Sequence, residues 1–302
     1  MRAVVALGGN ALVPKGGSGT VEEQREEVQE TARHVARLIE DGHELVLTHG
    51  NGPQVGALML QQDAADTPPM PLDVLVAETQ AQIGYLLQQA LDNELDTAED
   101  FVTVVTQTVV DPDDPGFDDP AKPVGPYYTA EEAEEKDFVT KDVGEGDRSY
   151  RRVVPSPTPV SIVEAGEIRE MVDRGAHVVC CGGGGVPVVD DDGLQGVEAV
   201  VDKDRASAVL AEDIDADELV ILTDVEHAYR DHGGADEEAI GRITADDLAE
   251  DVAAGEFGEG SMRPKVEACI RFVRGGGDRA IITAPRRLEA ALDGEAGTRV
   301  IP

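Results

Sequence analysis

The chain has 302 residues and carries 62 Asp and Glu against 25 Lys and Arg, a formal charge of -37 at pH 7. So acidic a field repels nucleic acid and anionic membranes and excludes both as partners, while 41% apolar residues in regular runs point to a folded core instead of disorder. Such a surface repels itself in dilute solution, and molar salt shortens the screening length to about 3 Å, so a salt-rich cytoplasm is the expected home.

The length fits one large domain or two smaller ones. No targeting segment is read at MRAVVALGGNAL, where Gly8-Gly9-Asn10 breaks the apolar run, and no run approaches the ~18 apolar residues of a membrane helix. Arg2 to Leu7 does not alternate, which predicts a strand buried on both faces. Thr20 with Glu23 forms a capping box that opens a helix through Val28, Ala32, Val35 and Ile39, stopped by Gly42. Glu44 to Thr48 is a second strand and runs into HGNGPQVG.

Helices follow near Pro53 and from Leu72 to Leu91, and FVTVVTQTVV at 101–110 reads as one β-branched strand. From Asp111 to Pro159 the chain is rich in Pro, Gly, Asp and Glu and holds Lys122, Lys136 and Lys141. A structureless stretch of about 50 residues is unusual inside a compact domain, so an inserted protruding subdomain or lid is expected over residues 111–159. Ile162 to Arg174 then reads as a helix stopped by Gly175, HVVCC as a strand, 182–185 as a glycine loop, and VPVV, DDDG and VEAVV as a hairpin.

A helix from Asp204 to Glu212, the strand ELVILTD, helices at Ala245 to Ala254 and Pro264 to Val273, and the strand RAIITA complete the order. Strands alternating with helices imply an α/β fold with a largely parallel sheet, which binds ligands beyond the carboxyl ends of its strands. Cys180, Cys181 and Cys269 lack any metal or redox spacing and read as buried small hydrophobes. His34, His43, His177 and His232 read as solvated, His49 as a strand-end group within reach of a substrate, and His227 as part of a nucleotide pocket.

Four glycine-rich loops at element ends stand out: Gly8-Gly9-Asn10, His49 to Gly52, Gly182 to Gly185, and the loop of Gly258 and Gly260. Glycine lets backbone N–H groups approach an anion and a following helix adds its positive end, so together the loops describe a phosphate cradle. Neither G-x-x-x-x-G-K-[ST] nor a strand-linked G-x-G-x-x-G occurs, which sets aside the P-loop and dinucleotide-binding folds and leaves phosphate charge to separate cations.

Only six lysines are present. Lys203 and Lys265 both fall at predicted helix N-termini, where a cation is unfavourable without an anionic partner. A bound phosphoryl group supplies one; a surface ion pair of Lys203 with Asp202 or Asp204 is the alternative. Asp202, Asp204 and Asp224 are placed to aim a lysine, to hold Mg2+ directly or through water, or to cap a helix. No Ser/His/Asp or Cys/His arrangement is present, and phosphoryl transfer needs none.

With these residues assembled, the sequence resembles the carbamate kinases of the amino acid kinase superfamily nearly end to end. The matching stretches are ALGGNAL at 6–12, THGNGPQVG at 48–56, KPVGPYYT at 122–129, VVCCGGGGVPV at 178–188, DKDRASAVLA at 202–211, LTDVEHAY at 222–229, GSMRPKVEA at 260–268 and the terminal GTRVI. The resemblance implies a three-layer αβα sandwich with a mostly parallel central sheet, a protruding subdomain and a homodimer. It implies reversible phosphoryl transfer between ATP and carbamate, giving ADP and carbamoyl phosphate, with Mg2+ held mainly by the nucleotide phosphates and by no direct side-chain ligand. ATP synthesis in arginine fermentation is the role it suggests.

By the same resemblance Gly8, Gly9, Asn10, Gly50, Asn51 and Gly52 would cradle the carbamoyl phosphate side. Lys203 and Lys265 would neutralise the phosphoryl group in flight, Lys122 would reach in from the subdomain as it closes, and Asp204 would organise the two core lysines. Asp202, Asp224, Val225, Tyr229 and Met262 would line the nucleotide site. A kinase of the same superfamily with another carboxylate or phosphate acceptor, and a nucleotide-binding regulator without turnover, are the alternatives. HGNGPQVG leaves little room for an amino-acid acceptor, and a sensor has no need of both lysines.

The acidic surface carries a direct test. Thermal unfolding followed by circular dichroism is expected to show a melting temperature that rises steeply between ~0.1 M and ~3 M KCl as repulsion is screened; equal stability at the two salts would contradict a salt-adapted surface.

Overall fold

Apolar runs without polar alternation build the middle of the molecule. The computed structural model describes residues 1–302 except 10, 11, 14, 15, 18, 65, 96–98, 145 and 259–261. Its first half runs β1 (Arg2–Leu7), α1 (Val21–Glu40), β2 (Glu44–His49), α2 (Gly52–Asp63), α3 (Leu72–Glu94), β3 (Phe101–Thr103), β4 (Gln107–Val110), β5 (Lys122–Tyr128), α4 (Ala130–Glu134), β6 (Thr140–Asp142), β7 (Tyr150–Val154) and β8 (Pro159–Ile162). The second half runs α5 (Ala165–Asp173), β9 (His177–Val179), β10 (Val186–Asp190), β11 (Leu194–Gly196), α6 (Lys203–Asp213), β12 (Glu218–Leu222), β13 (Ala228–Arg230), β14 (Glu238–Ile240), β15 (Arg242–Thr244), α7 (Ala245–Ala254), α8 (Met262–Arg274), β16 (Arg279–Thr283), α9 (Leu288–Leu292) and β17 (Thr298–Ile301).

Eight strands form the central sheet in the order β15-β17-β16-β12-β1-β2-β9-β3. Its pairings are parallel except that of β16 with β17. β1 sits in the middle, Val4 facing Leu219 on one side and Val46 on the other. Ala3 to Leu7 are each 0% exposed, which is why this strand shows no alternation: helices cover both faces. On one face Val4, Ala6 and Val46 pack with Leu210 of α6, Leu248 of α7 and Phe272 of α8. On the other, Val5, Leu7 and Leu47 pack with Val35 of α1, Ile83 of α3 and Leu288 of α9. The result is a three-layer αβα sandwich.

Local signals set several boundaries. Thr20 Oγ1 accepts the Glu23 N–H at 3.3 Å while Glu23 Oε2 accepts the Thr20 N–H at 3.2 Å, closing the capping box of α1. Around the central sheet lie a four-stranded sheet, β11-β10-β4-β8, the hairpin of β13 with β14, and a three-stranded sheet, β5-β7-β6, within residues 122–154. Val124 and Val154 of this last sheet pack on Val55 of α2 and Val76 of α3, which seats its first residue, Lys122, beside the carboxyl ends of the central strands. No helix among the described residues is long and apolar enough to cross a membrane.

Four expectations are corrected. Residues 101–110 are two strands in two sheets, because Gln80 of α3 interrupts them: it donates to Thr106 O at 3.1 Å and accepts the Thr106 N–H at 3.0 Å. Ile162 ends a strand, pairing with Thr108, and the helix begins only at Ala165. The return strand of the β10 hairpin is Leu194–Gly196; Val197 to Val201 lies outside any strand, Val200 donating to Pro155 O at 3.0 Å. His177 is buried, its Nδ1 accepting the Leu45 N–H at 3.2 Å, and that burial lowers its pKa. His34 and His43 are half-buried and His232 is exposed. The three cysteines are buried and free.

Candidate functional site

The site begins with a helix cap. Asp202 Oδ1 accepts the N–H groups of Asp204 at 3.0 Å and Arg205 at 3.3 Å and so starts α6. The same cap delivers Lys203 and Asp204 as the first two helical residues. On the neighbouring helix Lys265 is the fourth residue of α8. Asp204, only 3% exposed, joins the two: Lys203 Nζ donates to Oδ1, and Lys265 Nζ donates to Oδ2 at 2.8 Å. Lys122 Nζ, at the start of β5, donates to Asp202 Oδ2 at 3.0 Å.

Three ammonium groups therefore meet two carboxylates, an excess of one positive charge inside a molecule of charge -37. Burial works against the charge on Lys265, but Asp204 outweighs it and raises the lysine pKa, with Asp202 and Asp224 adding. Burial likewise works against the Asp202 carboxylate, yet Lys122, Lys203 and the Arg205 N–H hold it at about 2. Desolvated charges of this kind persist only when fully paired, because removing one partner costs about 3–5 kcal/mol.

The cluster opens on a cleft of about 290 Å³ lined by Gly50, Asn51, Gly52 and Gly183 on one side and by Lys122, Asp202, Lys203, Asp204 and Lys265 on the other. Val55, Val76, Val124, Val200 and Val201, with Pro123 and Pro264, complete its wall. Gly50 donates to Leu7 O at 3.2 Å, which lays the second glycine loop against the first. A Cβ on Gly8 would stand 2.7 Å from Leu222 O, so only glycine permits the β1 end to lie so close to the β12 end. Gly9 and Gly52 also line an adjoining hollow of about 1040 Å³. Asn10, Gly260 and Ser261 lie outside the described residues.

The third glycine loop is narrower in purpose than expected. A Cβ at Gly183 would overlap the Asn51 amide, and its φ of 65° is left-handed; Gly184 and Gly185 press on Val201 O and the Thr108 hydroxyl. Close packing accounts for the run, and of its four glycines only Gly183 lines the cleft. Asn51 is held in turn, its Nδ2 donating to Thr79 Oγ1 at 3.0 Å. His49 is not at the cleft surface: it is buried, and Nδ1–H donates to Gly50 O at 2.9 Å. Burial, aided by Lys203, lowers its pKa to about 4.

The residues expected on the nucleotide side are dispersed. Asp202 stands with the lysines. Asp224 is exposed beyond β12 and shares with Gly8 a separate hollow of about 480 Å³. Val225 is half-buried in the loop after it. Tyr229 sits on β13 with its ring 5.3 Å from that of His232 and 6.2 Å from that of His227, and Met262 opens α8 against the core. None of Val225, Tyr229 and Met262 lines these three hollows. The valine wall went unread because valines occur throughout the chain; the one available signal was the period of two that puts Val124 on the same face of β5 as Lys122.

His49 gives the site a proton-linked signature. Its folded value of about 4 lies below the ordinary 6.5, so the unfolded chain takes up the proton first. Stability is complete above 6.5 and is lost as pH falls toward 4, by about 3 kcal/mol. Denaturant unfolding of wild type beside His49→Gln is expected to show a smaller loss in the variant, where the buried His177 still contributes its own; parallel pH profiles would contradict a neutral, desolvated imidazole at His49.

A model of the amino acid kinase family matches residues 1–284. The chain is 59% identical to the carbamate kinase of Halobacterium salinarum, over 99% of this chain and 98% of that one. It is 50% identical to the carbamate kinase of Thermococcus kodakarensis, over 99% of each. The solved structure of carbamate kinase from Giardia lamblia bound to AMP-PNP superposes with a TM-score of 0.93 at 40% identity, covering 99% of this chain and 98% of that one. With its sheet order, its glycine loops and its lysine pair, the chain belongs to the amino acid kinase family, in the carbamate kinase branch.

Proposed function

We propose that the cleft transfers a phosphoryl group between ATP and carbamate, with ADP and carbamoyl phosphate on the other side of the equilibrium, and that its charged residues take the following parts. The observation that carries this reading is the pair of ammonium groups fixed on the two oxygens of one buried carboxylate, facing the glycine loops. A carbamate oxygen attacks the γ-phosphorus; the new P–O bond forms as the bond from that phosphorus to the β,γ-bridging oxygen breaks, and ADP leaves. Because the attacking oxygen is already anionic, no proton has to be removed, and the cleft lining contains no histidine.

Lys203 and Lys265 meet the equatorial oxygens, where charge develops and fixed cations act most strongly. Lys122 adds a third positive charge from β5. Gly8, Gly9, Asn10 and Gly50 to Gly52 hold the carbamoyl side through backbone N–H groups. Asn51 gives α2 no side-chain cap, so the N–H groups of that helix start remain for an anion. Asp204 positions the two core lysines. Asp202, Asp224, Val225, Tyr229 and Met262 belong to the nucleotide side.

Mg2+ would neutralise phosphate charge when bound. Asp202 and Asp204 are already engaged by lysines, so its ligands would be chiefly nucleotide phosphates and water, and Asp224, whose charge acts on Lys265, would hold it through water. A larger amino-acid acceptor would need partners for its carboxylate and amine, and the walls at Val55, Val76, Val124 and Val201 provide none. ATP synthesis in arginine fermentation, a homodimer and a salt-rich cytoplasm complete the proposal.

The test is ATP formation from ADP and carbamoyl phosphate with Mg2+ in molar KCl. Wild type is expected to turn over, and Lys203→Ala and Lys265→Ala each to lose about 10²–10³-fold in kcat. A wild type without carbamoyl phosphate-dependent ATP formation would remove the reading.

A further inference from the structure

Where β2 meets α6 the packing is apolar, with Val46 against Ala208, Leu210 and their neighbours, yet two hydroxyls are buried in the same contact. Thr48 and Ser207 are each 0% exposed. Thr48 Oγ1 lies 2.6 Å from Ser207 Oγ, which lies 2.7 Å from the carbonyl oxygen of Lys203 one helical turn back. That carbonyl can only accept, so the Ser207 proton goes to it; Ser207 then receives the Thr48 proton on a lone pair. The direction of the chain is thereby fixed, from Thr48 through Ser207 to Lys203.

Its two ends are the two halves of the cleft. Thr48 precedes His49 and the Gly50 to Gly52 loop, while Lys203 is an ammonium-bearing residue that lines the same cleft as that loop. A serine bonded back to the carbonyl four residues earlier also tilts a helical turn, and here the turn is the one carrying Lys203. We propose that Thr48 and Ser207 are positioning residues that hold the Lys203 turn in register with the Gly50 to Gly52 loop. This rests on the phosphoryl-transfer reading above. A displacement of about 1 Å between such groups lowers a transfer rate by up to about 10²-fold, so the effect belongs to kcat.

The experiment compares wild type with Thr48→Val, which keeps the shape and loses the donor, with Thr48→Ser, which keeps the donor, and with Ser207→Ala. In molar KCl, well below each melting temperature, kcat and KM are measured for ATP formation from ADP and carbamoyl phosphate. Thr48→Val and Ser207→Ala are expected to lose about tenfold or more in kcat with KM for ADP changed less than about twofold, and Thr48→Ser to recover most of the loss. A folded Thr48→Val with kcat within about twofold of wild type, or a Thr48→Ser as slow as Thr48→Val, would overturn the proposal. If Thr48→Val does not fold, Ser207→Ala decides by the same criterion. A wild type without turnover overturns the functional reading as well, whereas an active wild type with unchanged variants overturns this inference alone.

Discussion

One buried carboxylate shared by two ammonium groups is the constraint on which the site depends. Asp204 reaches Lys203 within its own helix and Lys265 on the next, so the packing of α6 against α8 and the placing of the cations are one problem. Each lysine is costly at that depth without the carboxylate, and the carboxylate is costly without both. The cluster also departs from the acidic balance of the molecule: three ammonium groups meet two carboxylates where the chain as a whole stands at -37, and molar salt screens exposed charges far more than desolvated ones.

The sheet supplies the rest by bringing chain ends together. β1 and β2 are adjacent and parallel, so their terminal glycines fall side by side, and α6 returns over the same edge from the other layer. At Gly8 and at Gly183 to Gly185 the missing Cβ lets one segment lie on another, on Leu222 in the first case and on Asn51, Val201 and Thr108 in the second, whereas a Cβ at Gly50 or Gly52 would meet no close neighbour. Gly183 thereby keeps the Asn51 side of the cleft in place.

Local patterns were legible wherever the cause is local. The capping box at Thr20, the unbroken apolar runs of β1 and β12, and the helix at Ala245–Ala254 could be read directly. The rarity of lysine in an acidic chain made Lys203 and Lys265 visible as well. What could not be read depends on distant partners. Gln80 divides a run that is β-branched throughout, pairing with β4 holds Ile162 in a strand, and the Leu45 N–H draws His177 inward. Nor does composition show that the glycine run at 182–185 is pressed against Asn51, Val201 and Thr108, with Gly183 alone of the four lining the cleft.

The shared role of Asp204 is tested most directly by a double-mutant cycle on kcat for ATP formation, comparing Asp204→Asn, Lys265→Ala and the double variant. If Asp204 acts by holding Lys265 and Lys203 in place, the double variant should be little slower than the slower single variant, because each change disrupts the same unit. Losses that multiply would mean that the carboxylate and the lysine act independently, and would contradict the shared buried carboxylate as the organising element of the site.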